Sequence, residues 1–231
     1  MYPDRPQTSG TVLTDIKSSD IRGIDKLKHI EFIGGETLRS RSLWEYLATL
    51  DKKKIFSLQT NGTVELTQKQ VELLNSFENF NICVSIDGYG KIFEYMRQPA
   101  KWDKLCQNIK QYIKYFGINR LSTYVTISNL NILYIDDIVF NLFKLLPSKI
   151  NLNLVHYPPE FAHNNLSKHT GKAVEKNNRV FFKKHSIEWC GDSLSLKSTL
   201  DNLKKQDKFS KLKFEEQLPK LFSLLKEKAL T

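Results

Sequence analysis

Short apolar runs and longer amphipathic stretches alternate along this chain. The short runs are His29-Ile30-Glu31-Phe32-Ile33, Ile55-Phe56-Ser57-Leu58-Gln59, Phe80 to Asp87, Leu121 to Ile127 and Ile150 to Val155, and they predict five strands. Between them the apolar spacing becomes helical. Leu43, Leu47 and Leu50 give one face to a helix over 40–51, and Thr67-Gln68-Lys69-Gln70 carries the capping-box pattern that opens the next. The clearest helix has Trp102, Leu105, Cys106, Ile109, Tyr112, Ile113 and Phe116 on one stripe, with Gly117 placed to cap it. A loop containing Arg97 and Pro99 precedes it, and a further helix over 134–146 stops before Pro147. Residues 1–14 read as an irregular lead-in and 15–28 as a short helix. The tail reads as helices over roughly 168–185, 195–206 and 211–229.

Strands that alternate with helices predict an α/β fold whose sheet is mostly parallel, with right-handed crossovers. Two architectures satisfy this, a whole or partial β/α barrel and an open doubly wound sheet. Both bind ligands at the carboxyl ends of the strands. Those ends are polar and glycine-rich here: Gly34-Gly35-Glu36, Thr60-Asn61-Gly62, Ser85 to Gly88, Ser128-Asn129 and His156-Tyr157. The strand starts are blander. The pattern opens with a helix and no strand before it, so the expectation is a β-α unit without its β half. Only Gly10-Thr11-Val12-Leu13-Thr14 could serve as that strand. The resulting division is 1–28, a lead-in and remnant of a first unit; 29–160, a partial barrel; and 161–231, a small, basic, mainly helical region.

Composition narrows the class. With 231 residues, 40% of them apolar and 14 of them Phe, the chain can bury a sizeable core. No apolar run is long enough for a membrane span, and the first residues lack the apolar segment of a signal peptide, so a soluble cytoplasmic protein is expected. The formal charge is +10, and residues 161–231 hold 15 Lys and Arg against 8 Asp and Glu. These lysines are interleaved with acids and no nucleic-acid motif accompanies them, which favours a solvated surface over a nucleic-acid face. Cys83, Cys106 and Cys190 are three in number and widely spaced, which argues against a disulfide framework. Cys83 and Cys106 read as small core residues.

Standard signatures are absent: no Walker sequence, no G-x-G-x-x-G, no H-E-x-x-H and no G-x-S-x-G. His156, at a strand end, is the one histidine that qualifies as a site residue. A set of three motifs goes further. Phe32-Ile33-Gly34-Gly35-Glu36 resembles the G-G-E motif of radical S-adenosylmethionine (radical SAM) enzymes. Thr60-Asn61-Gly62-Thr63 resembles their T-N-G-T, and Val84-Ser85-Ile86-Asp87-Gly88 their V-S-I-D-G, followed by Arg97 and by Trp102 opening a helix. The resemblance covers roughly 28–160. The order is also similar to radical SAM proteins with a small C-terminal twitch region.

The resemblance implies a partial β/α barrel whose strand ends hold SAM. Gly34, Gly35 and Glu36 would hold the methionine amino group, because an ammonium needs acceptors. Ser85 and Asp87 would contact the ribose hydroxyls or the methionyl end, Thr60 and Asn61 would line the same pocket, Arg97 would pair with the SAM carboxylate, and Ser128 and Asn129 would lie near the adenosine. The family also uses a [4Fe-4S] cluster held by C-x-x-x-C-x-x-C ahead of the G-G-E. No cysteine precedes Cys83, so the ligands of that cluster are absent from this sequence. Thr37 also stands where the family has Pro after the Glu. The resemblance therefore implies the SAM-binding core of a radical SAM enzyme in truncated or inactive form. The alternatives are a non-catalytic SAM- or partner-binding scaffold derived from that fold, a nucleic-acid-associated protein using the basic tail, and an unrelated β/α barrel. The substrate class expected is a peptide or small molecule, with a partner chain or self-association at the open barrel edge.

Overall fold

A computed structural model describes residues 27–166, 168–183, 189, 201, 203–204, 207 and 212–223. The expectations for 1–26 and for most of 195–206 lie outside the described residues.

Five strands form one parallel sheet: β1 (His29–Phe32), β2 (Ile55–Thr60), β3 (Phe80–Ser85), β4 (Leu121–Ile127) and β5 (Lys149–Leu154). They lie side by side in chain order, with registers such as Ile30↔Phe56, Leu58↔Ile82, Val84↔Thr123 and Thr123↔Ile150. Sequential order with no reversal is barrel topology and excludes the doubly wound alternative, in which the order turns back at a switch point. The sheet is the partial parallel β/α barrel.

Burial distinguishes the two faces. Phe56, Leu58, Ile82, Val84, Val125 and Ile127 point to one side and are almost completely buried. That side is covered by the crossover helices: α1 (Arg41–Thr49), α2 (Gln68–Asn75), α3 (Gly90–Met96), α4 (Trp102–Phe116) and α5 (Ile135–Leu145). The other side of the sheet carries Glu31, Ser57, Gln59, Asn81, Cys83, Ser122 and Tyr124, a polar inner face.

Local signals place the helices. The Thr67 hydroxyl accepts from the Gln70 N–H while the Gln70 side chain accepts from the Thr67 N–H, completing the capping box. Gly117 ends α4 at φ 77°, a conformation that costs glycine little. The strands match the sequence pattern within a residue or two: β3 ends at Ser85 rather than Asp87, and β5 starts at Lys149. One element between the strands departs from expectation. The stretch read as a loop before Arg97 contains α3, whose Ile92, Phe93 and Tyr95 are buried. Its cap residue Tyr89 makes no capping bond, so the usual start signal is missing.

The tail docks through α3. The Tyr95 hydroxyl donates to Asp207 (3.0 Å), whose other oxygen accepts from the Phe214 N–H (2.9 Å) at the start of α8 (Phe214–Gln217). Before it, the single helix expected over 168–185 is two, α6 (Lys168–Asn177) and α7 (Arg179–Phe182), joined at the buried Asn178. The Asn178 amide caps the Leu133 and Val174 carbonyls. Trp189 lies on Gly171, where a Cβ would come within 2.3 Å of its ring, and donates to Glu175 (2.7 Å).

Candidate functional site

The carboxyl ends of β1 to β5 carry a connected polar network. After β1 the chain turns at Gly34 (φ 135°), and Glu36 caps a 3-10 turn, Thr37–Arg39. Oε1 of Glu36 accepts from the Leu38 N–H (3.2 Å) and the Thr60 hydroxyl (2.6 Å), and Oε2 from the Asn61 N–H (2.8 Å). The Thr37 hydroxyl donates to the Gln59 carbonyl. The acidic loop is thereby clipped across to the end of β2. A carboxylate offers about four acceptor positions, so one on Glu36 is left for a ligand.

The end of β2 is fastened from outside. Asn61 Oδ1 accepts from the N–H and hydroxyl of Thr63, at 2.9 and 2.6 Å. The Asn108 amide of α4 donates to the Gly62 carbonyl (2.8 Å), and the Tyr112 hydroxyl to that of Val64. Burial raises the Tyr112 pKa far above its ordinary value, with the charge of Glu36 adding to the rise. At β3, Ser85 accepts from the Gln59 amide (3.1 Å). Both Asp87 oxygens are bonded: Oδ2 pairs with Arg97 Nε at 2.7 Å, and Oδ1 accepts from the Thr126 N–H at 2.7 Å. Buried Asn131 donates to the Asp87 and Thr126 carbonyls (2.9 and 2.8 Å) and accepts from the Ser128 N–H (2.8 Å). This asparagine locks the ends of β3 and β4 together, and sequence reasoning missed it; its spacing of three after Ser128 is the signal that was available.

At β4, Ser128 Oγ accepts from the Leu130 N–H (3.3 Å), and Asn129 is buried with its own N–H on the Phe161 carbonyl (3.3 Å). Beyond β5, His156 and His163 stand edge to face with ring centres 4.8 Å apart. Nδ1 of His163 is 2.8 Å from the Val155 carbonyl and therefore donates its proton there. Burial lowers the His163 pKa; the Val155 carbonyl opposes the shift and the His156 charge reinforces it.

Glycines separate packing from ligand approach. A Cβ at Gly62 would lie 2.5 Å from Leu105 and 2.8 Å from Val84, and one at Gly88 would lie 2.8 Å from the Phe93 nitrogen. Those two glycines serve the core. At Gly34 and Gly35 a Cβ would meet nothing within 4 Å. Gly34 is required by its φ; at Gly35 neither packing nor a positive φ calls for glycine, and the space beside it is open.

The network brings Glu36, Thr60, Asn61, Gln59 and Ser85 together on β1 to β3, and Asp87, Arg97, Ser128 and Asn131 on β3 to β4. Thr60 and Asn61 reach the site through Glu36, and Asp87 through Arg97. The arrangement offers a fixed acceptor at Glu36. It also offers a fixed cation at Arg97, whose remaining guanidinium nitrogens have no partner among the described residues.

The two described cysteines, Cys83 and Cys106, do not share a site. Cys83 faces the inner side of the sheet from β3, and Cys106 sits on α4, which covers the opposite side. Cys190 lies outside the described residues. Among the described residues no group of three or more metal-ligating side chains forms.

No family model matches this chain, and no curated protein matches it. Among solved structures, it is similar to native anSMEcpe with bound AdoMet and the Cp18Cys peptide, at 20% identity and a TM-score of 0.47, over 68% of this chain and 46% of that one. Histidine-tagged anSMEcpe with bound AdoMet matches at 19% and 0.48, over 68% and 44%. Native anSMEcpe with AdoMet and the Kp18Cys peptide gives 19% and 0.48, over 68% and 48%. The chain spans less than half the length of these proteins. Among the described residues no helix is long and apolar enough to cross a membrane.

Proposed function

We propose that this chain is a SAM-binding barrel of the radical SAM type, and that this sequence alone does not cleave SAM. The observation that carries the reading is the G-G-E turn. A carboxylate clamped across two strands stands next to a glycine whose Cβ position opens into empty space. The methionyl end of SAM is an ammonium and a carboxylate on one carbon. Glu36, with the carbonyls of the 34–35 turn, accepts from the ammonium, and Arg97 receives the carboxylate in a charge-assisted contact. Asp87 acts as a positioning residue by holding the Arg97 Nε. Ser85 and the Asn61 amide line the ribose side, with Ser128 and Asn129 at the adenosine. The three motifs in order, each closing a parallel strand, support the same ligand.

In this family an iron–sulfur cluster supplies the electron that splits SAM to a 5′-deoxyadenosyl radical. Cys83 and Cys106 lie on opposite sides of the sheet, which supports the scaffold form of the reading over the catalytic one. The test is calorimetric titration of SAM into the purified chain, before and after anaerobic iron–sulfur reconstitution, with iron counted. SAM binding without iron, weakened roughly tenfold by Glu36→Gln or Arg97→Met, is expected. Absence of SAM binding sinks the reading. Four irons per chain with 5′-deoxyadenosine formed on reduction would overturn its non-catalytic part.

A further inference from the structure

A cavity on the inner face of the sheet lies at the opposite end from the glycine turns. It has a volume of about 600 Å³ and is lined from the amino ends of all five strands, in the size range of small-molecule sites. Its two walls carry opposite charge: Glu31 on β1 and Lys149 on β5. Among the described residues neither forms an ion pair or hydrogen bond. Between them lie uncharged polar groups with capacity to spare. Asn81 accepts from the Ser122 hydroxyl (2.7 Å), leaving its amide protons, and Asn151 donates to the Thr123 carbonyl (3.2 Å), leaving its amide oxygen. The phenol of Tyr124, half-exposed in the same wall, also has no partner there. Burial raises the pKa of Cys83, midway across on β3, and a hydrogen bond with Ser122 opposes the rise; the charges of the two walls act on it less, Glu31 raising it and Lys149 lowering it.

We propose that this cavity binds a short peptide with free termini, its ammonium at Glu31 and its carboxylate at Lys149. Four strand spacings of about 4.8 Å separate the two charges by roughly 19 Å along the curved sheet. At about 3.3 Å per residue an extended peptide of roughly five residues spans that distance. Each of its peptide groups presents one N–H and one C=O, which the Asn81 amide, the Asn151 oxygen and the Tyr124 hydroxyl match in kind. Ile55, Ile118 and Pro147 form an apolar rim that accepts small side chains. This site is independent of the SAM reading, because it shares no residue with the carboxyl-end network.

The experiment titrates penta-alanine with free termini, its N-acetylated and C-amidated forms, and maltopentaose into the full chain, with SAM titrated into the same samples. Free penta-alanine is expected to bind. N-acetylation and Glu31→Gln should each weaken it roughly fivefold, and the two together no further, since both remove one contact; C-amidation and Lys149→Met should behave alike. SAM binding and the melting temperature should be unchanged in E31Q and K149M, because both side chains are exposed and unpaired. Equal binding of the doubly blocked peptide, equal or tighter binding of maltopentaose, or no heat from penta-alanine at millimolar concentration would each overturn the proposal.

Discussion

At the carboxyl ends of the strands the polar side chains are bonded to one another; at the amino ends the two charged side chains, Glu31 and Lys149, are left exposed. Glu36, Asp87 and Asn131 spend eight acceptor and donor contacts on neighbouring strands and loops. Glu31 and Lys149 have no hydrogen-bond or ion-pair partner among the described residues. The first arrangement fixes geometry in advance, so a ligand meets groups that need no reordering. The second leaves charge at full strength but without orientation. Substitutions at the first end should therefore cost stability and binding together, and at the second end binding alone.

The sharpest test of that contrast is Asn131→Ala. It strands the Asp87 and Thr126 carbonyls and the Ser128 N–H in a buried site, and a loss on the order of 3 kcal/mol is expected by urea denaturation. Wild-type stability in that variant would break the comparison. Next is Gly88→Ala, whose new Cβ presses on the Phe93 backbone; overpacking there should cost about 2 kcal/mol. Glu36→Gln, which keeps the shape of the cap but loses its charge, should lower stability by about 1 kcal/mol while weakening SAM. Gly35→Ala is the counter-case: stability should stay within about 0.5 kcal/mol of wild type, yet SAM binding should fall because the methyl group enters the open space.

Acid should act on the carboxyl end through His163. Its folded pKa is lowered by burial, so the folded state binds fewer protons than the unfolded state near the ordinary histidine value. The stabilising contribution is whole above that value and is lost as pH falls through the folded pKa. Urea midpoints of the wild type should fall on going from neutral to mildly acidic pH, and the fall should be smaller in His163→Gln. An identical fall in both chains would remove His163 from the account.

Particular residues show how much could be read in advance. The alternation at Phe56, Leu58 and Thr60 and the stripe from Leu105 to Phe116 report their own burial, because period and face are local properties. The Thr67 box and the Gly117 cap act within one turn and are equally plain. Helix α3 is hidden because it is seven residues long, starts on a glycine two residues after another and lacks a capping bond. The role of Asp87 is only partly legible. Its position after Ser85 places it at the site, but its partners are Arg97, ten residues away, and the Thr126 N–H, thirty-nine away. The strand starts look bland for a similar reason. Glu31, Asn81 and Lys149 are unremarkable one at a time and become a cavity wall only when five strands curve together.

The sequence by itself determined the α/β class, the strands, most of the helices between them and the glycine-rich turns, since each depends on neighbours a few residues apart. Tertiary structure decided three things. It chose the barrel order β1-β2-β3-β4-β5 over a doubly wound sheet. It separated glycines that serve packing, Gly62 and Gly88, from Gly35, which faces open space. It set Cys83 and Cys106 on opposite sides of the sheet. Each rests on which distant segments become neighbours, and that follows from burying one face of every strand under its crossover helix at the same time.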